Sequence, residues 1–327
     1  MIHLMKILLI KTKGSTPLDV NEKHLTQIRS VDKKIKIVAV SYQDTKQIAK
    51  ELADADIIAG NQVSIPTITN AKKLKWIQAF SAGVEKILTP EVVRSDVLVT
   101  NVSGIHTTPI AEHVLGFMLI FTRRFYETFK NQQQKIWKKN PNVTEIKGKT
   151  VLVVGLGNIG TEVAKLANFL GAKVIAVKQN TKDKPDFISK VYSPSQLEKV
   201  LPKADFVVLC LPLTPQTKHL FNLKKFKAMK KSGIIINIGR GPLIKEKDLI
   251  KALEQKIIAG AGLDVTEEEP LPKESKLWNM ENVVITPHHS GWSEKYMDRA
   301  IDLFCLNLKA YLKNKPLPTL VDKLRGY

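Results

Sequence analysis

The stretch Thr150-Val-Leu-Val-Val-Gly155-Leu-Gly157-Asn158-Ile159-Gly160 runs from a buried-strand pattern straight into a glycine-rich turn. Residues 161–170 then carry a helical pattern that stops at Gly171, and residues 173–177 supply a second apolar strand. Strand, turn, helix and strand in that order form a βαβ unit. Within it the pattern Gly-x-Gly-x-x-Gly has a reason for each glycine. Gly155 permits the tight turn, Gly157 lets a pyrophosphate approach the backbone, and Gly160 allows close helix–strand packing. The first amides of the helix, on Asn158, Ile159 and Gly160, are then presented as phosphate donors. The segment is expected to bind a dinucleotide.

Working outward, a series of strands follows at residues 206–211, 234–238, 260–264 and 283–286. These runs are nearly all apolar, as a parallel sheet covered by helices on both faces requires. The first hundred residues repeat the rhythm at 6–10, 35–40, 56–59, 74–79 and 98–101, with polar, helix-compatible stretches at 20–30 and 45–53. Between the two series, Ile110, Val114, Phe117, Met118 and Phe121 recur at helical spacing within residues 109–138. A last amphipathic helix is expected at 294–312. The fold expected is α/β, with two doubly wound parallel-sheet domains. Residues 103–287 form a Rossmann dinucleotide-binding domain inserted into a flavodoxin-like substrate domain made of 1–102 and 288–327.

With 43% hydrophobic and 25% charged residues, the chain has a globular balance rather than a disordered one. Its longest apolar stretch, 114–121, is far short of the roughly 20 residues that a membrane span needs. Lys6 interrupts any secretory h-region near the N-terminus, and a cytoplasmic location is expected. Cys210 and Cys305 are the two cysteines; they have no companions at metal-ligand spacing, so neither a disulfide framework nor a metal site is read. The net charge of +20 comes from lysines scattered through every segment, with seven arginines. Such scatter fits a solvated surface better than a nucleic-acid patch, and no nucleic-acid partner is expected.

Dinucleotide binders that prefer NAD place an acidic residue at the end of the second strand, about 20 residues past the first glycine. Here that position reads Val177-Lys178-Gln179-Asn180-Thr181-Lys182. A carboxylate would repel a 2′-phosphate, whereas Lys178 and Lys182 attract one and Asn180 and Thr181 can donate hydrogen bonds to it, with Gln179 beside them in the same cofactor-binding stretch. The reading favours NADP(H), with NAD(H) left open.

Three further segments end strands with chemically distinctive residues: Ile236-Asn-Ile-Gly-Arg240-Gly241, Gly262-Leu-Asp264-Val-Thr-Glu-Glu-Glu269-Pro-Leu271, and Ile285-Thr-Pro-His288-His289-Ser-Gly291. Ligands of open parallel sheets bind outside the carboxyl ends of the strands, so an Arg, carboxylates and a His are delivered to one edge. Together with Leu211-Pro-Leu-Thr214 and Ser81-Ala-Gly-Val84, these motifs resemble the D-isomer-specific 2-hydroxyacid dehydrogenases, of the NAD(P)-dependent glyoxylate/hydroxypyruvate reductase type, over nearly the whole chain. The resemblance implies that Arg240, Glu269 and His288 are catalytic and that Gly83 and Val84 offer amides to a substrate carboxylate, which Arg240 and His288 also contact. It implies Asp264 as the partner of the nicotinamide carboxamide, with Pro212, Thr217 and Ile238 lining the cofactor cleft. It further implies a homodimer built on the Rossmann domain and the helix near 110–138, acting on a small 2-oxo or 2-hydroxy acid.

The residue types suit that chemistry on their own account. Reduction of a 2-oxo acid builds negative charge on the carbonyl oxygen, which a protonated imidazole stabilises and then protonates. A carboxylate on the other ring nitrogen fixes the tautomer. A guanidinium grips a carboxylate with fixed, always-charged donors. Two relatives in chemistry stay open, a phosphoglycerate dehydrogenase-like enzyme and a non-catalytic, dinucleotide-sensing corepressor-like protein. A formate dehydrogenase is disfavoured, since its pattern carries Gln where this chain has Glu269. Of the remaining candidates, His106 and His113 read as structural, His289 as the non-catalytic neighbour, Trp292 and Tyr296 as either substrate walls or interdomain packing, and the loop 60–64 as a candidate substrate wall.

Overall fold

The computed structural model describes residues 4–12, 19–61 and 71–326. The chain divides into two compact units, one of Met1–Ile105 with Ser293–Tyr327 and one of His106–Trp292. The suggested substrate loop 60–64 falls outside the described residues from position 62 onward.

Among the described residues of the first unit, β1 (Met5–Lys11), β2 (Ile35–Ser41), β3 (Ile57–Gly60), β4 (Trp76–Ala79) and β5 (Leu98–Thr100) form a parallel sheet in the order β2-β1-β3-β4-β5. This is the flavodoxin-like order. Ile7, Leu8, Leu9 and Ile10 are all buried because β1 pairs on both sides and is covered on both faces. The helix Tyr296–Leu312 lays Ala300, Ile301, Phe304 and Leu308 on one side of the sheet, in contact with Ile7, Trp76 and Phe80. Trp76 meets Phe304 edge-on with centroids 5.4 Å apart. A buried polar chain fastens the same helix: Trp76 Nε1 donates to Thr100 Oγ1 (2.7 Å), Thr100 donates to Gln78 Oε1 (2.8 Å), and Asn307 Nδ2 donates to the same oxygen (3.0 Å). Each member is paired, which offsets the cost of removing it from water.

In the second unit β6 (Thr150–Val154), β7 (Lys173–Val177), β8 (Lys190–Tyr192), β9 (Phe206–Leu209), β10 (Ile234–Asn237), β11 (Gly260–Leu263) and β12 (Val283–Ile285) form a parallel sheet. Its order is β12-β11-β10-β9-β6-β7-β8, so the winding direction reverses between β6 and β9. A crevice outside the carboxyl ends of the strands at that reversal is where such sheets hold ligands.

Two expectations change. Strand β8 was not read from the sequence, since three residues bounded by an exposed Lys190 carry little apolar signal. The helix expected across 109–138 is two helices, Thr107–Arg123 and Phe125–Gln133. Arg124 between them is left-handed, at φ 56°, which ends the hydrogen-bond ladder. Neither Gly nor Pro marks that break in the sequence.

Candidate active site

The glycine turn is built around two close approaches. Gly155 has φ 99°, and a Cβ there would lie 2.5 Å from the Cys210 carbonyl oxygen, so the ends of β6 and β9 press together at the reversal point. A Cβ on Gly160 would lie 2.0 Å from the Gly155 oxygen, so the helix Asn158–Phe169 sits directly on the turn. At Gly157 the space is open, with nothing within 4 Å of a Cβ position. Gly157 is also the N-cap of that helix and brings no side chain to cap it. Open space in front of uncapped helix amides is the environment a pyrophosphate needs. Beside it, Thr217 Oγ1 donates to the Pro212 carbonyl (2.8 Å), fixing the loop after β9, and Ile238 is buried after β10.

At the end of β7, a depression of about 470 Å³ is lined by Leu156, Thr161, Lys178, Lys182, Asp183, Lys184 and Pro185. Lys178 and Lys182 are the two residues singled out from the sequence. Asn180 Oδ1 accepts from the Lys182 amide (3.0 Å), a bond that does not involve its Nδ2 donor. Sequence reading missed Thr161, Asp183 and Lys184; Lys184 Nζ donates to the Ile188 carbonyl (3.0 Å). Three lysines against one aspartate leave the lining cationic, which suits a phosphorylated ribose. Cradle and depression together fit a dinucleotide.

The charged chemistry gathers at the ends of β10, β11 and β12. His288 Nδ1 and Glu269 Oε2 are 2.7 Å apart. The other Glu269 oxygen accepts from the Thr266 amide (3.2 Å). His288 is itself left-handed, at φ 51°, and its amide donates to the Asp264 carbonyl (2.8 Å). Asp264 is buried; its carboxylate accepts from the Thr286 hydroxyl (2.6 Å) and from the amides of His289 (3.1 Å) and Ser290 (3.1 and 3.2 Å). Asn237 shapes the turn that carries Arg240, with Oδ1 accepting from the Gly239 amide (3.1 Å) and Nδ2 donating to the Arg240 carbonyl (3.0 Å). Arg240 Nη1 donates to the Gly239 carbonyl (2.8 Å). The next residue, Gly241, is pressed against the Thr266 peptide, so the Arg240 turn and the loop holding Glu269 share one packed edge.

Gly83 and Val84 belong to the first unit, where Ser81 Oγ donates to the Gly83 carbonyl (2.8 Å) and Asn101 Nδ2 donates to the Ala82 carbonyl (3.0 Å). Tyr296, suggested as a substrate wall, is instead buried in that unit's core, with its hydroxyl donating to the Phe80 carbonyl (2.7 Å). Trp292 is half-exposed. Burial pushes the Cys210 thiol up to about 12 and the Cys305 thiol up to about 11, which leaves both inert as nucleophiles.

A parallel sheet with a glycine cradle at its reversal point, and an imidazole–carboxylate pair on the same edge, defines a dinucleotide-dependent oxidoreductase. Residues 115–290 match the model of the D-isomer specific 2-hydroxyacid dehydrogenase, NAD binding domain. A glyoxylate reductase of Thermofilum pendens is 33% identical over 85% of this chain and 84% of its own length. Among solved structures, a D-isomer specific 2-hydroxyacid dehydrogenase family protein from Aeromonas salmonicida superposes with a TM-score of 0.87 at 30% identity, covering 98% of this chain and 99% of that one. An NADPH-dependent glyoxylate/hydroxypyruvate reductase from Sinorhizobium meliloti, in complex with NADP and sulfate, gives 0.83 at 26% identity, covering 98% and 100%. The chain belongs to the D-isomer specific 2-hydroxyacid dehydrogenase family, and it is an NAD(P)-dependent dehydrogenase. Among the described residues no helix is long and apolar enough to cross a membrane.

His106, read from the sequence as structural, is a histidine that feels the Arg240 charge. It is buried at the start of the helix Thr107–Arg123, and a Cβ on Gly291 would lie 2.9 Å from its ring. Burial first, and the Arg240 charge second, push its imidazole down from 6.5 to about 4. A folded value below the unfolded one means that the neutral form contributes full stability above pH 6.5, which is lost as pH falls through about 4. Melting temperatures measured from pH 7 down to pH 4 should therefore fall more steeply for the native chain than for His106→Gln. Parallel slopes would show that His106 takes up its proton without penalty.

Proposed function

We propose that the protein reduces a small 2-oxo acid of the glyoxylate or hydroxypyruvate kind to the D-2-hydroxy acid, and runs the reverse oxidation, with NADP(H) favoured over NAD(H). The observation that carries this reading is the 2.7 Å contact between His288 Nδ1 and Glu269 Oε2 on the edge that bears the glycine cradle. With Nδ1 engaged, Nε2 is the nitrogen left to meet a substrate oxygen. When bound, the reduced nicotinamide supplies a hydride to C2 of the 2-oxo acid.

The chain's own groups do the rest. Protonated His288 hydrogen-bonds the carbonyl oxygen through Nε2, stabilises its growing charge and passes it the proton. Glu269, held by the Thr266 amide, keeps the ring oriented and balances its positive charge. Arg240 grips the substrate carboxylate as a fixed cation. Asp264 would hold the carboxamide edge of the cofactor. In oxidation His288 starts neutral and removes the hydroxyl proton.

The cofactor preference rests on Lys178, Lys182 and Lys184 around the depression at the end of β7, where NAD-preferring relatives of the fold carry an acid. The Sinorhizobium reductase, crystallised with NADP, supports the same choice. Phe125, Phe129, Ile136 and Trp137 are exposed apolar residues on and just after the helix Phe125–Gln133, which supports the expected homodimer.

His288→Gln should lower the rate of glyoxylate and hydroxypyruvate reduction by about 10²-fold or more. NADPH affinity, measured separately by fluorescence titration, should stay near that of the native enzyme. Unchanged turnover would remove His288 from the mechanism. Lys178→Asp should move the ratio of kcat/KM for NADPH and NADH toward NADH, by repulsion of the 2′-phosphate; an unaltered ratio would place recognition of that phosphate elsewhere.

A further inference from the structure

We infer that His113, Asp264 and His289 form a site for a divalent transition-metal ion, and that the ion and the dinucleotide exclude one another there. The second half of this inference rests on the proposed role of Asp264 at the carboxamide. The three side chains come from the helix Thr107–Arg123 and from the loops after β11 and β12. That separation is why no ligand spacing shows in the sequence.

One ligand atom from each residue lies within 4.8 Å of the other two. His113 Nε2 is 3.9 Å from Asp264 Oδ1, and the imidazole rings of His113 and His289 have centroids 5.5 Å apart at 79°. In a tetrahedral site with metal–donor distances of about 2.0–2.1 Å, donors sit about 3.4 Å apart. The cluster is thus wider than a loaded site by at most about 1.4 Å, a gap that side-chain rotation spans. Two imidazole nitrogens and one carboxylate oxygen suit Zn²⁺, Co²⁺ or Ni²⁺. Mg²⁺ and Ca²⁺ are disfavoured, since they take largely oxygen shells.

The supports that orient metal ligands are present as well. The Asp264 carboxylate is fixed by the Thr286 hydroxyl and by the His289 and Ser290 amides. Phe117 packs edge-on against the His113 ring, with centroids 4.8 Å apart at 87°. Contacts of this kind set ligand orientation in metal sites. His113 Nε2 is at present 2.9 Å from Thr286 Oγ1. Because the Thr286 hydroxyl donates to Asp264, His113 Nε2 is the donor in this contact. An ion bound through Nε2 requires the ring to shift to the Nδ1–H tautomer, so that the hydrogen bond is exchanged for a metal bond, and three protein ligands leave a fourth position to water. The affinity expected is therefore below that of a closed four-ligand structural site.

The test is a titration of untagged, cofactor-free protein with Co²⁺, following the visible absorption of the four-coordinate ion, with Zn²⁺ calorimetry for stoichiometry. One ion per chain is expected. His289→Ala and His289→Gln should each weaken binding by about tenfold or more, while His288→Asn leaves it unchanged. No spectrum at millimolar ion, or binding that survives both His289 variants, overturns the site. Loss of binding in His288→Asn does the same, by placing the ion on Glu269 and His288. NADPH added to the Co²⁺-loaded protein should bleach the spectrum. A His289-dependent spectrum that NADPH leaves intact overturns the mutual exclusion and, with it, the carboxamide role of Asp264, while the metal site itself stands.

Discussion

Everything proposed about the chemistry depends on one hydrogen bond, between Nδ1 of His288 and Oε2 of Glu269, 2.7 Å long and joining residues 19 positions apart. The surrounding backbone is arranged to make it. His288 occupies a left-handed conformation at φ 51° that costs a non-glycine residue roughly 1–2 kcal/mol. It is held there by its amide, which donates to the Asp264 carbonyl. Glu269 is held from the other side by the Thr266 amide, and the Thr266 peptide is pressed against Gly241, which follows Arg240. The turns that carry His288, Glu269 and Arg240 therefore share one packed edge and are not three independent loops. A shift in any strand end would be felt at the other two, because such interiors are close-packed.

The cofactor end obeys a different constraint. At the glycine turn the requirement is steric, since backbone must meet backbone at Gly155 and Gly160 while Gly157 stays open. Ten ångströms is the reach of screening at ordinary ionic strength, roughly one Debye length at 0.1 M. Within that reach the lysines around the depression after β7 act as a local field, whereas the rest of the +20 charge acts mainly as a solvated surface. The buried His106 imidazole belongs to the same electrostatic picture at the other end, kept neutral by burial and by the Arg240 charge.

How far the sequence reveals this differs from element to element. Strands such as β1, β6 and β9 are legible because burial on both faces demands unbroken apolar runs, which the residues display directly. Strand β8 is not, because three residues at a sheet edge need little apolar character. The break at Arg124 is invisible for a related reason: a left-handed arginine is fixed by its surroundings and not by its type. The glycine turn is legible because its steric demands fall on residue types. The bonds of Asp264 to Thr286, His289 and Ser290 are not, since they depend on how two strand ends are spaced. Tyr296 is instructive in the opposite sense. Its position near the start of the last helix suggested a pocket wall, yet the helical period turns it inward, to the Phe80 carbonyl.

The measurement that bears most directly on the His288–Glu269 pair is the pH dependence of kcat/KM in both directions on one enzyme preparation. Reduction needs the imidazole charged and oxidation needs it neutral, so the first should fall and the second should rise as pH increases through the same ionisation. Glu269→Gln, which removes the carboxylate that holds Nδ1, should lower kcat/KM in both directions. Profiles that are flat, or that move in the same direction for reduction and oxidation, would contradict an acid–base role for this pair.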